Sequence, residues 1–167
     1  DFDDDHKTAC PMFAGRYIKG VKNGESPKWL KDKLLAIGLR PISALVDITN
    51  YMTIAHCRPL HVFDADKIKG NINVRMAKEG EKMLALDGKE YEMDGEMTVI
   101  ADDQDAEALA GVMGGERTGV SEATVNVMLE TAYFDPGRTA MTGRKLNLQS
   151  DARFRFERGV DPASLAD

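Results

Sequence analysis

Two residues in this sequence set an ionisable group among apolar neighbours. His61 stands inside Pro59-Leu60-His61-Val62-Phe63-Asp64, and Glu130 ends the alternating run of Val125, Val127 and Leu129. An imidazole has the ordinary pKa that general acid–base work near neutral pH requires. The plainer reading of His61 is a satisfied core histidine. For Glu130 the plainer reading is a solvated surface carboxylate, the commoner fate of a glutamate. Strand alternation leaves its facing open by one residue. If it points inward it must find a donor, because a buried unpaired carboxylate is costly.

Other candidates are weaker. His56, Cys57 and His61 offer nitrogen and sulfur ligands, but no fourth ligand stands at a zinc-site spacing, so no metal is expected. Gly111, Gly114 and Gly115 look like a phosphate-cradling loop, yet no Lys-Ser/Thr pair follows them. Glycines here let backbone approach a ligand or a neighbouring strand closely, or simply make a tight β connection. Arg153, Arg155, Glu157 and Arg158 form either a positive strip near RNA or a salt-bridged edge strand. No Ser-His-Asp arrangement is apparent.

The elements that must position these residues read as follows. Residues 1–9 open with Asp1-Phe2-Asp3-Asp4-Asp5, a polar and acidic start expected to be frayed, and the domain is placed over 10–167. A strand is expected over Ala14–Val21. Ser26-Pro27 reads as an N-cap followed by proline at the first helical position, and Trp29, Leu30, Leu34, Leu35 and Ile37 form the apolar stripe of a helix stopped by Gly38. Arg40–Met52 suits a helix without demanding one, and Leu60–Asp64 is a short buried segment. Ile72, Val74 and Met76 alternate as a strand, Asp87-Gly88 is a hairpin signal, and Met97–Ala101 is another strand. Asp135-Pro136 starts a helix running to Leu146, and Ala152–Gly159 alternates like a strand. The sum is one α+β, β-rich domain with mixed or antiparallel sheets and a few flanking helices.

Bulk properties narrow the function. The chain has 167 residues, enough for one domain with a real core. No apolar run reaches bilayer length, so no membrane partner is expected, and two cysteines fit a reducing cytosol. The 22 basic and 28 acidic residues give a net charge of −6. That argues against strong autonomous nucleic-acid affinity, which Lys and Arg drive by neutralising phosphates. If RNA is the partner, something outside this chain does most of the holding.

Taken together, several segments resemble one family. Val46-Asp47-Ile48-Thr49-Asn50-Tyr51, Pro59 through Asp64, Leu86-Asp87-Gly88, Ala108 through Gly115, Leu129 through Phe134 and Arg155 through Pro162 occur in the order seen in the editing domain of the bacterial-type phenylalanyl-tRNA synthetase β subunit. The resemblance covers nearly the whole chain after Cys10. It implies hydrolysis of tyrosine wrongly esterified to tRNA(Phe), within a β subunit that works with an α subunit in an α2β2 enzyme of the cytoplasm. It also implies no cofactor in this domain, ATP and magnesium for the whole enzyme, and no aminoacylation by this piece alone.

Carried over by position, Glu130 matches the glutamate that senses the tyrosine hydroxyl, and His61 a histidine beside the aminoacyl group that positions a water or acts as base. Thr49 and Asn50 match polar residues near the amino acid or terminal adenosine. Ala110, Gly111 and Gly114 match backbone lining the pocket, and Ser150 and Ala152 its mouth. His56-Cys57-Arg58, Asp151 and Arg153 depart from the common pattern. The alternative function is a non-catalytic tRNA-binding or docking module of the same subunit; a freestanding trans-editing protein is a third reading.

Overall fold

The computed structural model describes residues 8–165. In chain order its elements are β1 (Met12–Lys19), α1 (Lys28–Ala36), α2 (Ala44–Ala55), β2 (Leu60–Asp64), β3 (Asn73–Met76), β4 (Glu81–Leu84) and β5 (Glu90–Met93). There follow β6 (Thr98–Ala101), β7 (Ala106–Leu109), β8 (Met113–Gly114), β9 (Asn126–Tyr133), α3 (Pro136–Lys145) and α4 (Asp151–Phe156). The strands make three antiparallel sheets, in the orders β1-β9-β2, β3-β6-β7-β8 and β4-β5. This is the expected α+β class.

Strand β6 explains how the sheets stack. All four of its residues are buried, the pattern of a strand covered on both faces. Val99 and Ala101 belong to an apolar cluster with Met83, Met93 and Leu109. Ile100 belongs to a second cluster with Phe63, Ala132, Phe134 and Phe156, which joins the β1-β9-β2 sheet to the β3-β6-β7-β8 sheet. The Asp87-Gly88 signal lies in the β4–β5 hairpin, where Gly88 takes φ +79°, a conformation glycine adopts without strain.

Helix α1 buries Leu30 and Leu34, one turn apart, and ends before Gly38 at φ +82°. Trp29, Leu35 and Ile37 stay exposed, so the buried stripe is narrower than its apolar spacing suggests. Ser26 is not the N-cap; Pro27 takes that position. The Ser26 hydroxyl instead donates to Asp47 Oδ2 at 2.5 Å, while Asp47 Oδ1 accepts from the Ile42 N–H at 2.8 Å. Buried Asp47 thus ties the start of α1 to α2, and a buried carboxylate with two donors prefers that arrangement to any cap.

The strand expected over Ala152–Gly159 is corrected to helix α4. Ser150 accepts from the Arg153 N–H at 3.0 Å, and Asp151–Arg155 and Arg153–Glu157 pair one turn apart. Arg153-Phe154-Arg155-Phe156-Glu157 alternates by residue type, yet Phe154 is exposed and Phe156 buried, because residues two apart on a helix point to opposite sides. Of the frayed segment expected over 1–9, residues 1–7 lie outside the described residues. Ala9 is buried and its carbonyl accepts from the Asp135 N–H at 2.9 Å.

One charged clamp holds the β6–β7 end of the structure. Arg117 Nη2 pairs with both Asp102 and Glu107, whose side chains are fully buried. Burial alone would raise the Asp102 carboxyl. Backbone N–H groups of Asp105, Lys69 and Gln104, together with the Arg117 guanidinium, outweigh it and hold the group below the usual carboxylate range. Removing the cation from buried carboxylates leaves charge without compensation. Arg117→Ala is therefore expected to destabilise the fold by about 3 kcal/mol, with Glu107→Gln in the same chain recovering part of the loss. Denaturant midpoints at unchanged slope measure both effects.

Candidate functional site

Antiparallel pairing brings the two ionisable candidates together. In the β1-β9-β2 sheet, Glu130 on β9 is the direct partner of His61 on β2 and of Gly15 on β1. Directly opposed residues project to the same face of a sheet. That face also carries Phe63, whose ring meets the imidazole edge-to-face at 4.4 Å between centroids. The one-residue ambiguity in the facing of Glu130 resolves inward, with Ala132 and away from Val127 and Leu129.

Both side chains line a cavity of about 360 Å³ between this sheet, helix α2, the 108–114 segment and the start of α4. The volume lies within the range of small-molecule sites. Helix α2 presents Val46, Thr49, Asn50 and Thr53 to it, residues spaced to share one helical face. The Thr49 hydroxyl donates to the Val46 carbonyl at 2.8 Å, whereas no described residue hydrogen-bonds the Asn50 amide. Phe134 and Phe156 pack edge-to-face, 5.2 Å between centroids, and with Ile100 make the apolar wall.

At Gly114 the backbone passes hard against His61. A Cβ there would lie 2.4 Å from the imidazole Cε1 and 2.8 Å from Nε2, so only glycine permits the approach. Gly111 turns the chain at φ +70°. Ser150 donates from Oγ to the Val112 carbonyl at 2.6 Å while capping α4, which fixes the helix to the cavity wall. Ala152 lines the same side. Ala110 does not reach the cavity: it is buried in the apolar core, and its N–H bonds the Thr98 carbonyl at 3.0 Å. His56 and Cys57 are exposed beyond the end of α2, and among the described residues no group of three His, Cys, Asp or Glu could hold a metal ion.

The electrostatics follow from desolvation. Glu130 is 5% exposed and accepts no hydrogen bond from a described residue. Burial pushes its carboxyl from 4.5 up to about 8. The His61 ring is half-buried, but its Nε2 is sealed and unpartnered, and burial pushes it from 6.5 down to about 4. At pH 7 the imidazole is neutral and most of the carboxyl protonated, so this pair adds little charge to the cavity. A neutral carboxylic acid both donates and accepts, which suits it to a hydroxyl at the end of an apolar group. An imidazole with so low a pKa is a weak base and a good hydrogen-bonding group.

Sequence reasoning missed Val46, Thr53, Leu86, Phe134 and Phe156 as lining residues. Helical spacing from Thr49 and Asn50 could have found the first two. Leu86 arrives from the β4–β5 hairpin, with its N–H on the Gly114 carbonyl at 3.0 Å, and no local signal points to that. Of the departures from the family pattern, Asp151 lines the cavity while Arg153 turns away, donating to the Leu148 carbonyl and to Glu157.

Residues 9–167 match the B3/4 domain family. The phenylalanine–tRNA ligase beta subunits of Paramagnetospirillum magneticum and Ruegeria pomeroyi are 64% and 62% identical over 98% and 96% of this chain. The chain spans 20% of the length of each. A crystal structure of an N-terminal fragment of the phenylalanyl-tRNA synthetase beta-subunit from Pyrococcus horikoshii shares the fold, with a TM-score of 0.56 and 15% identity over 77% of this chain and 41% of that one.

Two predictions follow from this geometry. Gly114→Ala is expected to displace His61 and lose ligand binding while the domain stays folded, as heteronuclear NMR would show. The second concerns pH. Glu130 binds its proton more tightly folded than unfolded, so its contribution to stability falls as pH rises from 4.5 to about 8. His61 binds its proton less tightly folded, so its contribution falls as pH drops from 6.5 to about 4. The opposing slopes cancel between 4.5 and 6.5, and Glu130 alone acts above. Because His61 is common to both proteins, Glu130→Gln should stabilise the domain increasingly from pH 4.5 upward and level off above about 8, by roughly 2–4 kcal/mol at pH 9. A pH-independent difference between the two proteins in chemical denaturation would contradict this.

Proposed function

We propose that this chain, which belongs to the B3/4 domain family, is the editing module of a phenylalanine–tRNA ligase β subunit and hydrolyses the ester of Tyr-tRNA(Phe). The observation that carries the reading is the buried, unpartnered carboxyl of Glu130 at an apolar cavity wall. A synthetic site that accepts phenylalanine rejects an isostere with one added hydroxyl by only about 10²-fold. A second site can invert the test by giving that hydroxyl a partner. Tyrosine satisfies Glu130; phenylalanine leaves it orphaned, at a cost of about 1–3 kcal/mol.

The chemistry is attack of water on the ester carbonyl, releasing tyrosine and the tRNA hydroxyl. His61 stands across the sheet from Glu130 and, being neutral, orients the water rather than removing its proton outright. Thr49 and Asn50 hold the amino acid or the terminal adenosine, and the unbonded Asn50 amide is free for that work. Backbone at Gly111 and Gly114 lines the site, with Ser150 and Ala152 at its mouth. Positioning of this kind supplies much of a hydrolytic rate without a nucleophilic side chain. Aminoacylation, with its ATP and magnesium, belongs to the remainder of an α2β2 enzyme in the cytoplasm. Among the described residues no helix is long and apolar enough to cross a membrane.

In the complete enzyme, Glu130→Ala is expected to lower kcat/KM for Tyr-tRNA(Phe) deacylation about 10- to 100-fold, the worth of one buried hydrogen bond. Tyrosine binding, titrated calorimetrically against phenylalanine, should lose its preference in the same variant. His61→Ala should lower kcat more than it raises KM. Wild-type enzyme that leaves Tyr-tRNA(Phe) intact while binding the tRNA normally would instead support the docking-module alternative.

A further inference from the structure

A second concavity, of about 520 Å³, opens beside the first and shares Ser150 and Asp151 with it. Its other side is one face of α4 and the turn that follows. There Phe154 is 54% exposed, an unusual state for a phenylalanine with a buried alternative two residues away. The Arg158 guanidinium lies over the Phe154 ring, its Cζ 3.8 Å from the centroid. Two hydrogen bonds from Arg158 Nη1 hold it there, to the Phe154 carbonyl at 2.8 Å and to Glu157 Oε1 at 2.7 Å. The result is a fixed layer of cation on ring, open to solvent at the rim of the ester cavity.

We propose that this groove seats the single-stranded 3′ end of the RNA that carries the ester, with one base stacked on the Phe154–Arg158 layer. The inference rests on the function proposed above and adds the place where the nucleotide leaves the cavity. An aminoacyl group held near Glu130 remains covalently joined to its ribose, which must exit past a rim. The shared Ser150 and Asp151 make this groove a continuation of that rim. Its chemistry fits: unpaired bases are recognised by stacking on aromatic rings and on arginine planes. Its charge is no obstacle. Arg153 and Arg158 balance Asp151 and Glu157 along the groove, a locally neutral lining in a chain of net charge −6. Tethering through the ester gives the base a high effective concentration, so one stacking contact suffices to hold it.

The test uses the complete enzyme, with tRNA(Phe) bearing 2-aminopurine in place of a base at its 3′ end. Stacking quenches that fluorophore. Phe154→Ala should abolish the quenching and raise the KM of Tyr-tRNA(Phe) deacylation roughly tenfold with kcat nearly unchanged. Phe154→Trp should restore both, and free tyrosine should bind all three proteins equally. If Phe154→Ala leaves quenching and KM as they were, or raises KM with quenching intact, the proposal is overturned. It is equally overturned if the variant disturbs only subunit assembly, which would assign the groove to a protein neighbour. Wild-type enzyme that quenches through Phe154 but does not hydrolyse the ester would sink the editing function and leave the groove's role standing.

Discussion

Strand β9 is hydrogen-bonded along both edges, to β1 over Asn126–Tyr133 and to β2 over Val127–Thr131, and this double pairing keeps a carboxyl inside the molecule. A slip of one residue against either neighbour would turn Glu130 to the opposite face and bring Leu129 or Thr131 in its place. Two ladders must fail together for that to happen. The glycine opposite Glu130 adds a steric constraint: a Cβ on Gly15 would lie 2.1 Å from Met128 Cε. The methionine therefore lies across β1 only because residue 15 has no side chain. Register, glycine and methionine are one arrangement, and His61, the cavity and the α2 wall are placed relative to it.

The arrangement is costly in isolation. Desolvating a carboxyl and an imidazole without giving either a partner works against folding, which is why both titrate far from their ordinary values in opposite directions. Stability has to come from elsewhere. The two apolar clusters meet at β6, and the Arg117 clamp and the Asp47 tie hold the elements that carry the cavity wall. Asp47 and Asp102 have donors on both oxygens and Glu107 has Arg117 on one; among the described residues Glu130 has a donor on neither. A buried carboxyl at a cavity wall with no such donor on either oxygen is suited to a ligand that supplies one.

How much of this was legible in the sequence differs by element. Helix α1, the β4–β5 hairpin and helix α3 were readable because their signals are local: buried leucines one turn apart, Asp-Gly at a turn, and Asp135-Pro136, whose aspartate accepts from the Arg138 N–H. Helix α4 was not, because Arg153-Phe154-Arg155-Phe156-Glu157 alternates by residue type like a strand, and only the opposite burial of the two phenylalanines reveals the helix. The Ser26 hydroxyl went to Asp47, 21 residues away in sequence, and no window short enough to see a cap could see that partner. The candidate site shows the same division. Ordered motifs placed Glu130, His61 and Thr49 by resemblance. Leu86 and the inward facing of Glu130 depend on how sheets stack, and Ala110, inside the motif, faces the core because β7 ends just before it.

The acidic balance of the chain and an RNA partner are compatible once distance is considered. At physiological ionic strength exposed charges are screened beyond about 8 Å, so a net charge of −6 spread over the domain acts on a bound RNA end only through the residues beside it. Inside the cavity the Glu130–His61 pair contributes little charge at pH 7, since Glu130 is mostly protonated and His61 neutral. At the adjoining groove two arginines balance two carboxylates. A polyanion approaching this rim meets a local surface unlike the domain average. Long-range attraction is still missing, and on the proposed function it would come from outside this chain, which spans a fifth of its relatives' length. On the proposed function the division of labour is physical: a larger assembly would bring the RNA near, and short-range stacking and one buried carboxyl would decide what happens to its end.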